Sequence, residues 1–426
     1  MKKYIDLTKE EAKAEYSNLE AKYNEYKAQG LKLDISRGKP NTHQLDLTGG
    51  LLYLDMTKEQ CINENGIDYR NYGLIDGIPE AKRFFGEVLS LNPENIVVCG
   101  NSSLQLMYDI LVKAMLFGTC DSDKPWIKEE GLKWICVAPG YDRHFKITEE
   151  LGFELLTVKM TSTGPDMDEV ERLALDPKVK GIWCVPKYSN PTGNTYSDET
   201  VRRLASMKTG AKDFRIFWDN AYAVHALGDE DDELLDVFEE TKKYGNENRV
   251  IYFASTSKIT LPGSGVALFA GSTENINDIK KHMSVQTIGY DKINQLRHVY
   301  YFENAENLKN HMKKLGSSIK PKFDITFEAL SMLDGLGIAE WTRPIGGYFI
   351  SLDVTFGSAR RVYNLMKDAG VTLTEVGATY PYGIDPEDKN LRLAPTYPSD
   401  EELKLACEIL VVTVKMAALE KILNKI

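Results

Sequence analysis

The sequence predicts an α/β protein with two parts, a large domain built on a mainly parallel sheet and a smaller α+β domain. From about residue 96, short apolar runs rich in Val, Ile, Phe and Trp alternate with amphipathic stretches, and this pattern ends near residue 320. Consecutive apolar residues are typical of strands buried on both faces. Strand–helix alternation then favours a parallel sheet that helices cover on both sides.

The predicted large-domain sheet has seven strands. A chain of 426 residues allows two or three domains at about 150 residues each. We assign residues 50–320 to the large domain, and residues 1–49 together with 321–426 to the small one. The runs predicted as strands are Ile96–Cys99, Trp134–Val137, Leu155–Val158, Gly181–Val185, Ile216–Trp218, Ile251–Phe253 and Val266–Ala270.

Helices are predicted between these strands and at both ends of the chain. Tyr16, Leu19, Tyr23 and Tyr26 recur at helical spacing within the first 30 residues, which indicates an amphipathic N-terminal helix. The other predicted helices are Leu104–Phe117, His144–Leu151, Asp198–Met207, Ala359–Gly370 and Asp400–Lys421. In the small domain, residues 346–352 resemble a turn leading into a strand, and Leu391–Leu393 is a second short strand.

Composition excludes several classes of function. The net charge of −11 lacks the basic footprint of a nucleic-acid-binding protein. No apolar run is long enough to span a membrane, and the first residues lack the apolar stretch of a signal peptide. The cysteines are scattered without a C-x-x-C pair, and the histidines show no pair at metal-ligand spacing. We therefore expect a cytoplasmic protein with reduced thiols, no bound metal, and neither a nucleic-acid nor a membrane partner.

Polar segments follow the predicted strands at the edge where open parallel sheets bind ligands. Neither the dinucleotide motif G-x-G-x-x-G nor the P-loop motif is present. The hypotheses of a nicotinamide-dependent dehydrogenase and of a P-loop nucleotide triphosphatase therefore lack their main sequence evidence. The polar segments are Gly100–Ser103, Pro139–Tyr141, Asn190–Gly193, Asp219–Tyr222 and Ser255–Lys258. Alone, Asn-Pro-Thr-Gly is typical of a β-turn and Ser-Thr-Ser-Lys of a surface loop.

In this order, the segments resemble those of the pyridoxal 5'-phosphate (PLP) enzymes of fold type I, in particular the class I aminotransferases. The resemblance covers almost the whole chain. Ser-Arg-Gly-Lys-Pro at residues 36–40 and Thr-Ser-Lys-Ile-Thr at residues 256–260 resemble most closely a divergent bacterial aspartate aminotransferase branch. The resemblance implies the fold type I architecture, PLP as cofactor, and ping-pong transfer of an amino group from an amino acid to a 2-oxo acid. Aspartate and 2-oxoglutarate are the pair that this branch favours.

The resemblance assigns the groups that hold the cofactor ring. Lys258 would bind PLP covalently and then move protons, because a lysine amine is the nucleophile that PLP requires. Asp219 ends a buried run and needs a positive partner, which the protonated ring nitrogen supplies. Asn190 and Tyr222 would donate to the phenolic oxygen, and Tyr141 would stack on the ring. His144 could hydrogen-bond to Asp219.

The phosphate is expected at the helix start beside Asn101, because backbone N–H groups and the helix dipole favour an anion there. Additional hydroxyl donors would come from Ser102, Ser103, Ser255 and Ser257. The resemblance implies that Tyr72 reaches the phosphate of a partner subunit, and hence a homodimer with shared active sites. Most class I members carry an arginine eight residues after the lysine, where this chain has Val266. Either the helix start and the hydroxyls suffice to bind the phosphate, or another cation replaces this arginine.

Arg392 matches the arginine that binds the substrate α-carboxylate, because a guanidinium meets a carboxylate through two parallel hydrogen bonds. Gly38 and Asn190 would contact the same end of the substrate. A second carboxylate needs another cation, and the candidates are Arg37, Lys292 and Arg297. Each of these three is equally interpretable as an ordinary surface charge.

Three alternatives stay open. An alanine aminotransferase would not need the second cation for its amino donor, and a β-lyase acting on sulfur amino acids uses the same cofactor groups. A non-catalytic, aminotransferase-like effector-binding domain is the third. Such domains usually accompany a DNA-binding module, and only about 35 residues precede the first motif here, against about 50 for a small domain.

Overall fold

Helices and strands alternate along most of the chain. The computed structural model describes residues 2–424. The helices are α1 (Lys9–Lys27), α2 (Thr42–Asp46), α3 (Pro79–Leu89), α4 (Ser103–Phe117), α5 (Asp142–Glu150), α6 (Met167–Ala174), α7 (Asp198–Ser206), α8 (Val237–Lys242), α9 (Thr273–Met283), α10 (Lys292–Phe302), α11 (Ala305–Ser331), α12 (Ala359–Asp368) and α13 (Asp400–Leu423). The strands are β1 (Leu33–Asp34), β2 (Ile96–Val98), β3 (Lys133–Ala138), β4 (Glu154–Thr161), β5 (Gly164–Pro165), β6 (Val179–Cys184), β7 (Arg215–Asp219), β8 (Val250–Ser255), β9 (Ala267–Ala270), β10 (Ala339–Trp341), β11 (Ile350–Val354), β12 (Val371–Thr372) and β13 (Asn390–Leu393).

The large sheet has the strand order β2-β9-β8-β7-β6-β3-β4-β5. Strands β4, β3, β6, β7 and β8 pair in parallel, whereas β9 is antiparallel to both its neighbours. The mainly parallel sheet is thus confirmed, and all seven predicted strands form. The eighth strand, β5, pairs antiparallel with β4 at the sheet edge. It has only two residues, Gly164 and Pro165, which is too short for a period-2 pattern to reveal.

Both faces of the central strands are buried, which explains their consecutive apolar residues. In β7, Ile216 and Trp218 belong to one hydrophobic cluster and Phe217 to the other. Successive side chains of a strand point to opposite faces, so one run contributes to two cores. On the second face, Phe217 packs against Trp134 and Trp183, with ring centroids 5.3 and 5.0 Å away. Burying each such side chain contributes about 1.5–3 kcal/mol.

The parallel register places the polar segments at one edge of the sheet. Cys184 of β6 pairs with Trp218 of β7, and Asp219 pairs with Phe253 of β8. The residues that follow each strand therefore emerge side by side. Because Asp219 is the last residue of β7, its carboxylate lies at this edge.

The remaining strands form two smaller sheets, an antiparallel one of order β10-β11-β13 and a parallel pair of β1 with β12. The N-terminal helix packs on the C-terminal helix, where Tyr16 donates to Glu420 and Tyr26 to Glu408, each at 2.9 Å. All strands of the large sheet fall within residues 50–320, and α11 runs continuously across residue 320. The domain boundaries themselves stay a prediction.

Candidate active site

A cavity of about 900 Å³ opens at the edge of the sheet where the polar segments emerge. This volume lies within the range that small-molecule sites occupy. The structure brings most of the predicted site residues to its wall: Arg37, Gly38, Ser102, Ser103, Tyr141, Asn190, Asp219, Tyr222, Ser255, Ser257, Lys258 and Arg392. Within residues 2–424, no group of three or more His, Cys, Asp or Glu side chains is placed to hold a metal ion. None of the helices described is long and apolar enough to cross a membrane.

The carboxylate of Asp219 is buried at the floor of the cavity, where its side chain is 6% exposed. Nε2 of His144 lies 3.0 Å from Oδ2, so the predicted contact is confirmed. The His144 ring stacks on Trp183 with ring centroids 4.5 Å apart. Oδ1 has no hydrogen-bond partner among the residues described. A buried carboxylate oxygen without a partner is costly, and a protonated ring nitrogen in the cavity would satisfy it.

Lys258 lies on the loop after β8, with Nζ 4.9 Å from the centroid of the Tyr222 ring. Burial raises the pKa of Tyr222, and the negative charge of Asp219 raises it further. Burial likewise raises the pKa of Tyr141 to about 12, partly opposed by the charge of Lys258. Both phenols are therefore protonated at neutral pH, and each can donate one hydrogen bond into the cavity.

Two buried histidines from the helices behind the cavity hold the Lys258 loop. Nε2 of His298 lies 3.0 Å from Oγ1 of Thr260, and Nε2 of His311 lies 2.8 Å from the carbonyl oxygen of Ile259. Burial lowers the pKa of both histidines, so they contact the loop in the neutral form. These two histidines were not predictable from the sequence, because an isolated histidine on a helix belongs to no motif.

A third histidine, His225, is buried behind the Tyr222 ring, with ring centroids 5.6 Å apart. Burial lowers its pKa to about 3, and the nearby charge of Lys258 acts in the same direction. The Tyr348 hydroxyl donates to the Lys258 carbonyl oxygen at 3.4 Å. The Lys258 carbonyl oxygen is thus held by a neutral hydroxyl, which does not compete for the Lys258 amine.

The cavity wall also offers hydrogen-bond donors for an anion. Ser102 caps α4 by accepting a hydrogen bond from the Gln105 N–H at 3.3 Å. The Ser255 and Ser257 hydroxyl oxygens lie 3.0 Å apart on the facing loop. Asn101 does not line the cavity, because its side-chain amide donates to the carbonyl oxygen of Pro262 at 3.3 Å. The α4 N-terminus and the serine hydroxyls are therefore the donors on the cavity wall that would suit an anion.

Val266 occupies the position of the usual arginine and is buried, with 1% exposure. Its N–H donates to Oγ1 of Thr256 at 2.9 Å, so this position belongs to the interior. Among the residues described, the cations that line the cavity are Arg37, Arg143, Lys258 and Arg392. Arg143 was not among the predicted site residues, although it lies two residues beyond the Pro-Gly-Tyr segment.

Besides Asn101, three further predicted residues lie outside the cavity of their own chain. Lys292 is buried at the start of α10, and Nη2 of Arg297 donates to the carbonyl oxygen of Leu51 at 2.5 Å. Tyr72 lies in a loop and is 83% exposed. A role for any of them in the site would have to be played in a neighbouring subunit.

Arg392 extends from β13 into the cavity. Its Nε donates to Oγ1 of Thr374 at 3.2 Å, and its Nη1 donates to Oδ1 of Asp142 at 3.2 Å and to Oδ1 of Asn190 at 3.4 Å. The guanidinium lies 4.9 Å from the centroid of the Phe349 ring. That ring also packs against Gly38, where a Cβ would collide with it. The site thus presents the oriented guanidinium of Arg392 together with the backbone of Gly38, which no side chain of its own covers.

Comparisons with known proteins agree with this geometry. The family model described as aspartate amino-transferase matches residues 7–425. The aspartate aminotransferase of Corynebacterium glutamicum is 47% identical, over 96% of this chain and 95% of that protein. A relative from Mycolicibacterium smegmatis, whose name specifies an aminotransferase without a substrate, is 47% identical over 99% of both chains. The solved structure of an aspartate transaminase from Corynebacterium glutamicum superposes with a TM-score of 0.96 at 45% identity, over 99% of both chains.

The match to the family model covers nearly the whole chain, and the relatives align over their full length. The fold is therefore fold type I and the cofactor is PLP. The family match identifies the enzyme class as an aminotransferase. The unpartnered oxygen of Asp219 and the serine hydroxyls on the cavity wall are consistent with this class. The chain belongs to the class I PLP-dependent aminotransferases.

Proposed function

We propose that the protein transfers the amino group of aspartate to 2-oxoglutarate by a ping-pong route. The observation that carries the proposal is that Lys258, Asp219 and Arg392 line one cavity. These are the groups that a cofactor aldehyde, a ring nitrogen and a substrate carboxylate require. The name of the Corynebacterium glutamicum relative supports aspartate as the donor.

Bound PLP would act as an electron sink for the carbanion formed at the substrate Cα. Nζ of Lys258 would hold the cofactor until the substrate amine takes its place. The released amine would then act as general base and general acid, and would move the Cα proton to its new position in a 1,3-proton shift. Oδ1 of Asp219 would accept from the ring nitrogen, with His144 orienting the carboxylate. Tyr222 and Asn190 would donate to the phenolic oxygen.

The other groups would position the cofactor and exclude water. Tyr141 would pack on the ring face, and four serines with the α4 N-terminus would bind the phosphate. These are Ser102, Ser103, Ser255 and Ser257. Asn101 would contribute its backbone, since its side chain is turned to Pro262.

Arg392 would bind the substrate α-carboxylate, with the backbone of Gly38 above it. Arg37 is the one predicted reader of the distal carboxylate that lines this cavity. It is exposed at the rim, where it can meet a side chain that extends outward. Lys292 and Arg297 could serve only a neighbouring subunit, and an alanine aminotransferase would need none of these three.

A homodimer would complete the site. Large aromatic and apolar side chains are exposed at three places: Tyr72 is 83% exposed, Tyr53 at the end of the short helical turn Gly49–Tyr53 is 83% exposed, and Val285 is 87% exposed. Apolar surface of this kind is typical of an interface. Tyr72 would then reach the phosphate in the partner subunit. A cytoplasmic location would fit the unpaired cysteines.

A half-reaction screen tests the substrate. Holoenzyme is mixed with single amino acids, and conversion of the cofactor to pyridoxamine phosphate is followed by absorbance. Aspartate and glutamate should convert the cofactor fastest. Equally fast conversion by alanine would favour an alanine aminotransferase, and release of ammonia and a 2-oxo acid without an acceptor would favour a β-lyase.

The same screen tests the role of Arg37 by comparing the Arg37→Ala variant with a control variant on aspartate and alanine. Arg37→Ala should slow the reaction with aspartate much more than that with alanine. Arg143→Ala is the matched control, because it removes a second rim cation from the same cavity. If Arg37→Ala slows both amino acids equally, Arg37 does not read the distal carboxylate.

A further inference from the structure

Both protons of Nη1 in Arg392 are already engaged within the protein. An arginine NH2 group carries two hydrogens. Nη1 donates one towards Oδ1 of Asp142 at 3.2 Å and the other towards Oδ1 of Asn190 at 3.4 Å. Nε donates to Oγ1 of Thr374 at 3.2 Å, and Nη2 has no hydrogen-bond partner among residues 2–424. A carboxylate that binds two guanidinium nitrogens must therefore displace one of these three acceptors.

Asp142 is the acceptor that most resembles the substrate. It is the only carboxylate among the three, and it forms an ion pair with Arg392 in which the side chains are 29% and 11% exposed. Charge-assisted hydrogen bonds of this kind are roughly twice as strong as neutral ones. The protein thus places its own carboxylate where the α-carboxylate of the substrate would bind.

A second position is available to the Asp142 side chain. Asp142 is the first residue of α5, where the helix dipole favours a negative charge. Its Oδ2 already lies 3.9 Å from Nε of Arg143. The carboxylate can therefore leave Arg392 and still remain next to a cation and a helix N-terminus.

We propose that Asp142 is an internal competitor for the α-carboxylate site on Arg392, and that substrate binding displaces it toward Arg143. This inference rests on the proposed role of Arg392. Every substrate of the reaction carries an α-carboxylate, so each must displace Asp142 at the same cost. Asp142 would therefore raise KM by one common factor for all amino acids and would not select among them.

Holoenzyme carrying Asp142→Ala or Asp142→Asn tests the proposal. The Kd of maleate, a dicarboxylate that cannot react, is measured by calorimetry, and KM is measured for aspartate and alanine. We expect Asp142→Ala to lower the Kd and both KM values by a common factor of at least threefold. Asp142→Asn should have an intermediate effect, because it keeps an acceptor without the charge.

Glu375→Gln is the matched control. Glu375 is another acidic residue on the cavity wall, and within the described residues it forms no ion pair with Arg392. Its substitution should change the Kd of maleate less than twofold. If Glu375→Gln tightens binding as much as Asp142→Ala does, the effect is one of overall charge, and the proposal is wrong. It is also wrong if both Asp142 variants bind maleate as weakly as the unmodified protein or more weakly.

Arg392→Ala separates this proposal from the proposed function. If Arg392→Ala abolishes maleate binding while the Asp142 variants have no effect, the carboxylate site stands and the competitor does not. If Arg392→Ala leaves maleate binding intact, the assigned substrate site itself fails. In the double variant Asp142→Ala with Arg392→Ala, the gain from removing Asp142 should vanish.

Discussion

The two ends of the cavity differ in how far the protein itself determines their geometry. At the ring end, Asp219 and Tyr222 are 4% and 3% exposed and come from the edge of a rigid parallel sheet. At the rim, Arg37 and Arg143 are exposed and come from loops or a helix start. Burial restricts the side chains at the ring end, whereas the exposed side chains at the rim have room to change rotamer.

This difference in burial determines how closely each group defines the ligand that it binds. A buried polar atom must have a partner, so the unpartnered Oδ1 of Asp219 indicates the kind of group that binds there. An exposed cation has water as its partner, and its position alone assigns no ligand. The predictions below test the ring end first and then move toward the rim and the subunit surface.

The largest effect is expected for Lys258→Ala, which removes the amine at the centre of the ring end. Loss of covalent attachment and of proton transfer should lower kcat by about 10⁴-fold or more. Borohydride reduction followed by peptide mapping of the unmodified holoenzyme should place the pyridoxyl group on Lys258. A label on another lysine would contradict the assignment. The control is Lys39→Ala, a substitution of an exposed lysine.

Asp219→Ala should have the next largest effect. Removing one member of a buried ion pair costs about 3–5 kcal/mol, so the affinity for PLP should fall by at least 100-fold on that basis. Equilibrium dialysis with PLP measures the loss. His144→Phe is the comparison, because it leaves Oδ1 of Asp219 in place and should cost less. An equal loss in both variants would show that Oδ1 does not bind the ring nitrogen.

Arg392→Ala tests whether the two ends act separately. The loss of hydrogen bonds to a charged group, about 1.5–3 kcal/mol, should raise KM for every amino acid by about 10- to 100-fold. The absorption spectrum of the cofactor should stay unchanged, because Arg392 contacts the substrate and not the ring. A changed spectrum with an unchanged KM would reverse the assignment of the two ends.

The buried His225, which lies beside Tyr222, should make the stability of the folded protein depend on pH. Its pKa is lowered from 6.5 to about 3 in the folded protein, so below pH 6.5 the unfolded chain takes up a proton that the folded chain does not. Stability should therefore fall by about 2 kcal/mol between pH 7 and pH 5 from this group. Urea unfolding of His225→Gln should show a smaller fall.

The slope with pH, and not the stability at one pH, is the quantity to compare. His43→Gln is the control, because His43 is exposed and its substitution should leave the slope unchanged. If His225→Gln loses as much stability between the two pH values as the unmodified protein, the neutral buried state of His225 is refuted.

The smallest effect is expected at the subunit surface. Tyr72→Phe removes one hydroxyl and should weaken PLP binding by about 3- to 10-fold, the equivalent of one hydrogen bond. The loss is measured by titrating the protein with PLP at protein concentrations above and below the dissociation constant of the dimer. If Tyr72→Phe binds PLP as tightly as the unmodified protein under both conditions, Tyr72 does not reach a partner's phosphate.

Much of the fold follows from local patterns. Most of the seven main strands were predictable because they have apolar residues at consecutive positions, as two-sided burial requires. Strand β4 differs, since its residues largely alternate between buried and exposed. The edge strand β5 was not predictable, because its two residues, Gly164 and Pro165, carry no strand pattern, although they pair with the neighbouring residues Thr161 and Met160 of β4. The buried position of Asp219 was also predictable, since a charged residue closes the apolar run of β7.

The outer part of the site was less predictable. Arg37, Lys292 and Arg297 are equivalent as cations in the sequence, yet only Arg37 lines the cavity. Arg297 donates instead to the carbonyl oxygen of Leu51, 246 positions away in the chain. The ion pair of Asp142 with Arg392 joins residues 250 positions apart, and no local pattern contains such a contact.

By itself, the sequence determined the strand–helix alternation, the edge at which the polar segments emerge, and the residue types that meet there. These depend on periodicity and on the ends of elements, which are local properties of the chain. The tertiary structure alone decided which charges face one another, that Val266 is interior, and that His298 and His311 hold the Lys258 loop. The reason is physical: a charge or hydrogen bond depends on distance in space, and folding brings together residues whose separation along the chain carries no information about that distance.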